Sequence, residues 1–471
     1  MRQSAYSTAV RVWRAIGRRG GSGALLLLGL TGAAAEPASE APELLAHPAF
    51  VGAVAETPPP PWQCWQPQWR PAACDVRMGP EGLVMEAPGR LFAVGGVFQE
   101  VQGIRGGQAY RFEAVCRVRH LVSPLGSVLA RLTWTRRGRP LHPAGRLARG
   151  PWVRDGEARF ADVWVAPAGA DGARVSLELK WPRGGSVIWQ RASLRPAAPP
   201  APRKVKIGTV YLRPRNSTTE KNLARFGAQI DAAGRLGLDL VCLGEGITLV
   251  GTGRNYAECA EPIPGPGTRR LGAAARRNHL WVVAGLYEKA GDALYCTAVL
   301  LDRQGRLAGK YRKVHLPREE WTQGLRPGGE YPVFDTDFGR IAIQICYDWF
   351  FPEPEAIFAL KGAEIILAPT WGNTLPDQAG RVRGETVFRV RARDNGVYLV
   401  PSVYDGNSMV IDPLGRIRVS SDGREGLFWT EVDLNDRAML DYVGHWRTLG
   451  PRHRRPETYG PLVEPPRLPS E

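Results

Sequence analysis

Several signatures that would assign a function at once are missing from this chain of 471 residues. There is no Cys-x-x-Cys pair, and the seven histidines form no His-Glu-x-x-His or Cys/His cluster, so neither a structural nor a catalytic metal is expected. Zinc-finger spacing, an RNA-binding glycine-aromatic signature and a basic stretch interleaved with aromatics are all lacking, which argues against nucleic acid as a partner. The first 200 residues contain no phosphate-binding glycine loop, so no nucleotide-driven domain is expected there. Long apolar runs are scarce too. The longest, ALLLLGLTGAAA from Ala24, falls short of the roughly 20 residues a helix needs to cross a bilayer.

What is present is a globular composition, 44% hydrophobic and 23% charged, with 55 glycines and 40 prolines. That glycine and proline content implies many turns without reaching the range of low-complexity disorder. The net charge of +16 is uneven: 25 basic residues stand against 14 acidic ones up to position 200, and 37 against 32 beyond it. Solvated basic surface on the N-terminal part is the plain reading of this excess.

Arg11, Arg14, Arg18 and Arg19 precede the apolar run, and Ala33, Ala34 and Ala35 follow it. That is the order of a secretory signal, residues 1–35, and implies a secreted or periplasmic protein; a cytosolic extension is the alternative. Residues 36–61, with prolines at Pro58 to Pro61, are expected to be flexible. The seven cysteines suit either compartment. Cys64 and Cys74 would be candidates for a bridge in an exported protein, whereas Cys116, Cys242 and Cys296 read as buried small hydrophobes.

Residues 62–195 consist of short strand-like segments, for example 109–118, 128–134 and 159–165, separated by Gly, Pro and Asp turns. This spacing predicts an all-β, jelly-roll-like sandwich. Trp62, Trp65 and Trp69 at its start could stack on sugar rings or pack on a neighbouring face. A Pro/Ala linker occupies 196–203. From 204 to 440 strands alternate with helices. KVKIGTV is followed by a helical period over 219–236, with Leu223, Phe226, Ile230 and Ala233 on one face, and a long helix is predicted over 378–395. This alternation predicts an α/β domain whose site lies at strand ends. Residues 441–471 read as a C-terminal tail.

Three chemically capable residues fall at such ends: Glu245 in CLGEG, Lys313 in YRKVHLP and Cys346 in IQICYDWFFPE. A strand that delivers a cysteine into an acidic turn and helix forms a nucleophile elbow, where exposed N–H groups can hold a developing oxyanion. Taken singly, each residue also fits a structural role. Spacing does not bring them together.

The motifs in order are DLVCLGEG, GKYRKVHLP, EWTQGLRPG and ICYDWFFPE, followed by RARDNGVYLVPS and GNSMVIDPLGRI. From about Lys204 to Asp433 this series resembles the carbon-nitrogen hydrolase family, the nitrilase superfamily. The resemblance implies a four-layer α-β-β-α sandwich and a homodimer formed through the catalytic domain. It also implies a Cys-Glu-Lys triad: Cys346 as nucleophile, Glu245 as general base, Lys313 as oxyanion stabiliser, and Glu320 assisting through the lysine or substrate. The Tyr347 N–H would join Lys313 in the oxyanion site. Lys313 and the turn N–H groups would favour a Cys346 thiolate. Asp348 is expected to anchor the turn and His315 to position the lysine strand. Two positions depart from the family pattern. Gly244 stands where proline usually precedes the glutamate, and Asp394-Asn395 where Glu-Asn is common. ICYD looks more like amidases and carbamoyl hydrolases than nitrile-specific members. The implied activity is therefore cofactor-free hydrolysis of a linear amide or N-carbamoyl amine, with nitrile hydrolysis or an inactive scaffold as alternatives. The N-terminal domain would be structural or would contact a surface or carbohydrate.

Overall fold

Burial on one face or on both decides which segments of this chain alternate and which are continuously apolar. In the computed structural model, which describes residues 41–52, 54–142, 145–372, 385–436, 439–440 and 444–464, the N-terminal strands alternate. Glu157–Val165 buries Ala158, Phe160, Asp162 and Trp164 and turns the residues between them outward. Such strands form two six-stranded antiparallel sheets. One runs Gln63–Trp65, Val94–Gln102, Gly172–Lys180, Val128–Arg136, Arg139–Pro140, with Arg146–Leu147 added on Val128–Arg136. The other runs Asp75–Gly79, Gly82–Glu86, Ser186–Ala197, Ala109–Arg119, Glu157–Val165, Arg149–Arg154. Successive long strands switch from one sheet to the other, and the inner faces share a core of Val97, Leu132, Leu177, Phe112, Phe160 and Trp189.

One expectation needs correction here. Residues 44–50 are anchored rather than flexible: Leu45 and Phe50 are buried, Leu44 N–H donates to the Leu194 carbonyl, and Ala49 bridges to Arg191. Enough apolar surface is covered to hold a segment that its prolines had marked as loose. Trp62 belongs to the same anchor. It is buried, edge-on to Phe50 at 5.2 Å, with its indole N–H on the Ala46 and His47 carbonyls, so it offers no ring to a sugar. Trp69 is exposed. Both Cys64 and Cys74 are free thiols. The segment read as an export signal lies outside the described residues.

Past Ala197, where the strand Ser186–Ala197 ends inside the Pro/Ala run, the strands change character. Ile365–Pro369 and Tyr398–Ser402 are buried at every position, as central strands covered on both faces must be. The first sheet runs Leu307–Arg312, Ala293–Leu301, Trp281–Ala290, Leu240–Cys242, Lys204–Tyr211, Gly426–Asp433. The second runs Val333–Asp335, Arg340–Ile343, Ile365–Pro369, Tyr398–Ser402, Met409–Ile411, Ile417–Ser420. In each, the central pairs are parallel and the outer ones antiparallel. The sheets face each other through Ile207, Leu240, Val283, Ile366 and Leu399. Helices Thr219–Arg235 and Pro266–Asn278 cover the first sheet, with Leu223, Phe226, Ile230 and Leu271 inward. Glu353–Leu360 and Glu385–Asn395 cover the second through Phe358 and Phe388. The result is α-β-β-α. Residues 378–384 of the predicted long helix lie outside the described residues.

The C-terminal residues are more than a tail. Helix Trp446–His453 drives Arg452 into the N-terminal sheets, where its guanidinium donates to the carbonyls of Val128, Ala148 and Gly150 at 3.2, 2.7 and 2.5 Å. The same helix packs on Glu385–Asn395, so from Pro42 onward both pairs of sheets belong to one compact unit. A buried charge held only by carbonyl dipoles is costly, and burial lowers the Arg452 pKa to about 10.

A second buried charge makes stability depend on pH. Glu355 is wholly enclosed; its Oε1 accepts from Gln344 Nε2 at 3.0 Å, and Arg391 Nε stands 3.9 Å from Oε2. Burial pushes this carboxyl up to about 8, against the opposing pull of a backbone N–H, Gln344 and Arg391. A pKa raised on folding stabilises fully below the unfolded value, and that contribution fades as pH rises through the folded one. The window therefore runs from about 4.5 to about 8. Replacing Glu355 by Gln should flatten the decline in unfolding free energy across that window by about 1.4 kcal/mol per pH unit, measured by urea titration at several pH values. Parallel declines in the two proteins would contradict this.

Candidate active site

Three of the expected site residues leave their strands within three residues of the end. Glu245 follows Leu240–Cys242, Lys313 follows Leu307–Arg312, and Cys346 follows Arg340–Ile343. The first two strands lie in one sheet and the third in the other. Backbone hydrogen bonds fix each exit. Leu243 N–H reaches the Val283 carbonyl at 2.8 Å, and Gly285 N–H reaches the Gly244 carbonyl at 3.0 Å. The chains approach so closely that a Cβ on Gly285 would lie 2.6 Å from the Glu245 Cα, so only glycine fits. Lys313 donates its N–H to the Cys296 carbonyl and accepts from Gly328 N–H, at 2.9 and 2.7 Å.

The side chains converge. Lys313 Nζ lies 3.0 Å from Glu245 Oε1 and 2.7 Å from Glu320 Oε1, with all three residues buried. Glu320 comes from the short helix Arg318–Trp321, which starts right after Pro317. Burial opposes the lysine's charge, yet the Glu245 and Glu320 carboxylates beside it hold its pKa well above the ordinary value. Burial pushes Glu320 the other way for a carboxyl, up to about 7, with Lys313 pulling against it and Glu245 adding to the rise. One oxygen of each carboxylate, Oε2 of Glu245 and of Glu320, is buried with no hydrogen-bond partner among the described residues.

Cys346 sits in a left-handed conformation with φ +41°, opening a 3-10 turn through Phe350. A non-glycine residue in that region stores about 1–3 kcal/mol, and strain of this kind recurs at nucleophile elbows. Asp348 holds the turn closed. Its carboxylate accepts from Ile345 N–H at 3.0 Å, Tyr311 Oη at 2.7 Å and His315 N–H at 2.9 Å, and His315 Nδ1 is also at 2.9 Å. The loop after Lys313 and the cysteine turn thus share one buried anchor.

The expected thiolate is not what the surroundings favour. Part of Cys346 reaches solvent, but its sulphur lies among protein atoms. That desolvation, followed by the negative Glu245, pushes its pKa up, against Lys313 and a hydrogen bond from the Trp371 backbone N–H. At rest Cys346 is a neutral thiol, and ionising it takes a base beside it.

Three contributors escaped the sequence reading. Cys296, read as core, is buried with Sγ 3.5 Å from Glu245 Oε1. Trp371 follows the strand Ile365–Pro369 and supplies the N–H at the sulphur. Tyr287 is buried and packs on Tyr256 at 4.7 Å, close enough to feel Glu245 and Glu320. A signal for Cys296 existed in its position on the strand before the lysine motif. Glu245, Cys296 and Glu320 could in principle offer three donor atoms to a metal, all within 4.8 Å of one another, but Lys313 Nζ already lies against both carboxylates as their cation.

The arrangement provides a thiol, a carboxylate with a free lone pair, a buried ammonium and a second carboxylate of raised pKa. This is a set for nucleophilic acyl chemistry. The chain is similar to several known proteins. The carbon-nitrogen hydrolase profile matches residues 206–442. A nitrilase of Pyrococcus abyssi is 34% identical over 249 residues, covering 49% of this chain and 90% of that protein. The human omega-amidase NIT2 is 28% identical over 244 residues, covering 48% and 87%. The crystal structure of Saccharomyces cerevisiae Nit3, a member of branch 10 of the nitrilase superfamily, aligns with TM-score 0.44 and 26% identity over 49% of this chain and 90% of that one. The chain belongs to the carbon-nitrogen hydrolase family.

Proposed function

We propose that this protein hydrolyses a linear amide or N-carbamoyl amine through a cysteine acyl-enzyme. The observation that carries this reading is the buried Lys313 ammonium held between Glu245 and Glu320 beside the strained Cys346. In the proposed reaction the free Oε2 of Glu245 takes the Cys346 proton as sulphur bonds to the carbonyl carbon. The oxygen gains the negative charge and is held by the Lys313 ammonium and the Tyr347 N–H. Collapse restores the carbonyl and breaks the C–N bond, and the proton travels with the departing ammonia or amine. Glu320, with its raised pKa, is suited to relay that proton. Water, deprotonated by Glu245, then attacks the thioester; the C–S bond breaks and the thiolate recovers a proton.

A nitrile is the second reading, favoured by the P. abyssi relative being a nitrilase, whereas the ICYD turn and the omega-amidase relative support an amide. The same proposal makes the catalytic part a homodimer acting on a small molecule. The sheet-switching strands of the N-terminal part we read as a jelly-roll-like structural domain.

An ammonia-release screen over amides, carbamoyl amines and nitriles tests the assignment. Turnover is expected on an amide or carbamoyl amine and should vanish in Cys346→Ala; undiminished release by that variant would end the thiol mechanism, and release from nitriles alone would select the second reading. Lys313→Ala should lower kcat by about 100-fold or more while KM moves only a few fold. A rise in KM equal to the fall in kcat would place Lys313 in substrate binding instead.

A further inference from the structure

Gly244 departs from the proline usual before the catalytic glutamate, and the structure supplies a partner for that departure. A Cβ at Gly244 would lie 2.6 Å from the ring and the hydroxyl oxygen of Tyr404. Tyr404 follows the strand Tyr398–Ser402 of the second sheet and is fully buried, and its Oη donates to the backbone carbonyl of Glu245 at 2.5 Å. Burial raises the phenol's pKa well above its usual value, so the donor keeps its proton. The contact spans 159 positions of sequence and joins the two sheets.

Tyr404 also touches the nucleophile's side of the site. Its N–H donates to the Trp371 carbonyl at 3.0 Å, and its ring meets the Trp371 indole edge-on at 5.3 Å. Trp371 in turn sends its own N–H to the Cys346 sulphur. One side chain therefore fixes the peptide that carries the base and the segment that contacts the thiol.

Resting on the hydrolase reading above, we propose that Tyr404 is a positioning residue that sets the Glu245 carboxylate against Cys346, and that Gly244 is present to admit it. Tyr404 touches no reacting atom and acts through Glu245. Its effect must then disappear when Glu245 can no longer accept a proton, a dependence that a purely structural residue would not show.

The test needs no knowledge of the substrate. The rate at which iodoacetamide alkylates Cys346 is followed by mass spectrometry of the Cys346 peptide, which separates it from the exposed Cys64. The proteins compared are wild type, Tyr404→Phe, Glu245→Gln, the double variant and Gly244→Ala. Tyr404→Phe removes one hydrogen bond and keeps the ring, and should slow alkylation about five- to tenfold. Gly244→Ala leaves the hydroxyl intact but displaces the ring, and should reproduce the defect. In the Glu245→Gln background, Tyr404→Phe should add nothing. Wild-type rates in Tyr404→Phe or Gly244→Ala, or an equal slowing by Tyr404→Phe in both backgrounds, would overturn the proposal. A Glu245→Gln protein that alkylates as fast as wild type would instead strike at the base assignment beneath it.

Discussion

The interaction on which everything else depends is the enclosure of one ammonium by two carboxylates. Lys313, Glu245 and Glu320 are all withdrawn from water, and removing the lysine leaves buried carboxylates without their cation at a cost of about 3–5 kcal/mol. Such a cluster forms only if its members are delivered with little freedom. The α-β-β-α architecture does this by ending strands of both sheets at one place, with each exit pinned by backbone hydrogen bonds. The rigid core thus confines the charges at one strand-end cleft.

The same burial defines the problem the site must solve. An enclosed thiol is a poor nucleophile, and the turn places Cys346 where desolvation and a neighbouring carboxylate both hold its proton on. In the proposed reaction, attack is coupled to proton transfer. A thiol that ionises only when a carbonyl is in place is less exposed to unproductive chemistry than a standing thiolate. Glu320, raised to about 7, sits on the other side of the lysine and keeps a second proton position within the same cluster. Asp348 ties the cysteine turn to the loop after Lys313, so neither moves without the other.

Sequence made the catalytic half legible because each motif is local. An apolar strand, a reactive residue and a turn follow one another within a few positions, and their order along the chain carried the family. The helix over 219–236 was readable for the same reason, ending one residue earlier than expected because its last turn closes on Leu236. Contacts between distant segments were not legible. Tyr404 meets Glu245 across two sheets, Arg452 reaches carbonyls more than 300 residues away, and Cys296 looks like any buried strand residue until its partner is placed. Proline content misled for residues 44–50, since proline restricts local backbone but does not prevent Leu45 and Phe50 from finding a core. The thiolate expectation failed because it counted the cation and the turn N–H groups and omitted the desolvation that outweighs them.

The central claim is that Cys346 forms an acyl bond which Glu245 later helps to release. The most direct measurement is peptide mass spectrometry of Glu245→Gln protein incubated with an amide that the wild type turns over. The account predicts an acyl mass confined to the Cys346 peptide and absent from Cys346→Ala. An acyl group on another cysteine, with Cys346 unmodified, would contradict it.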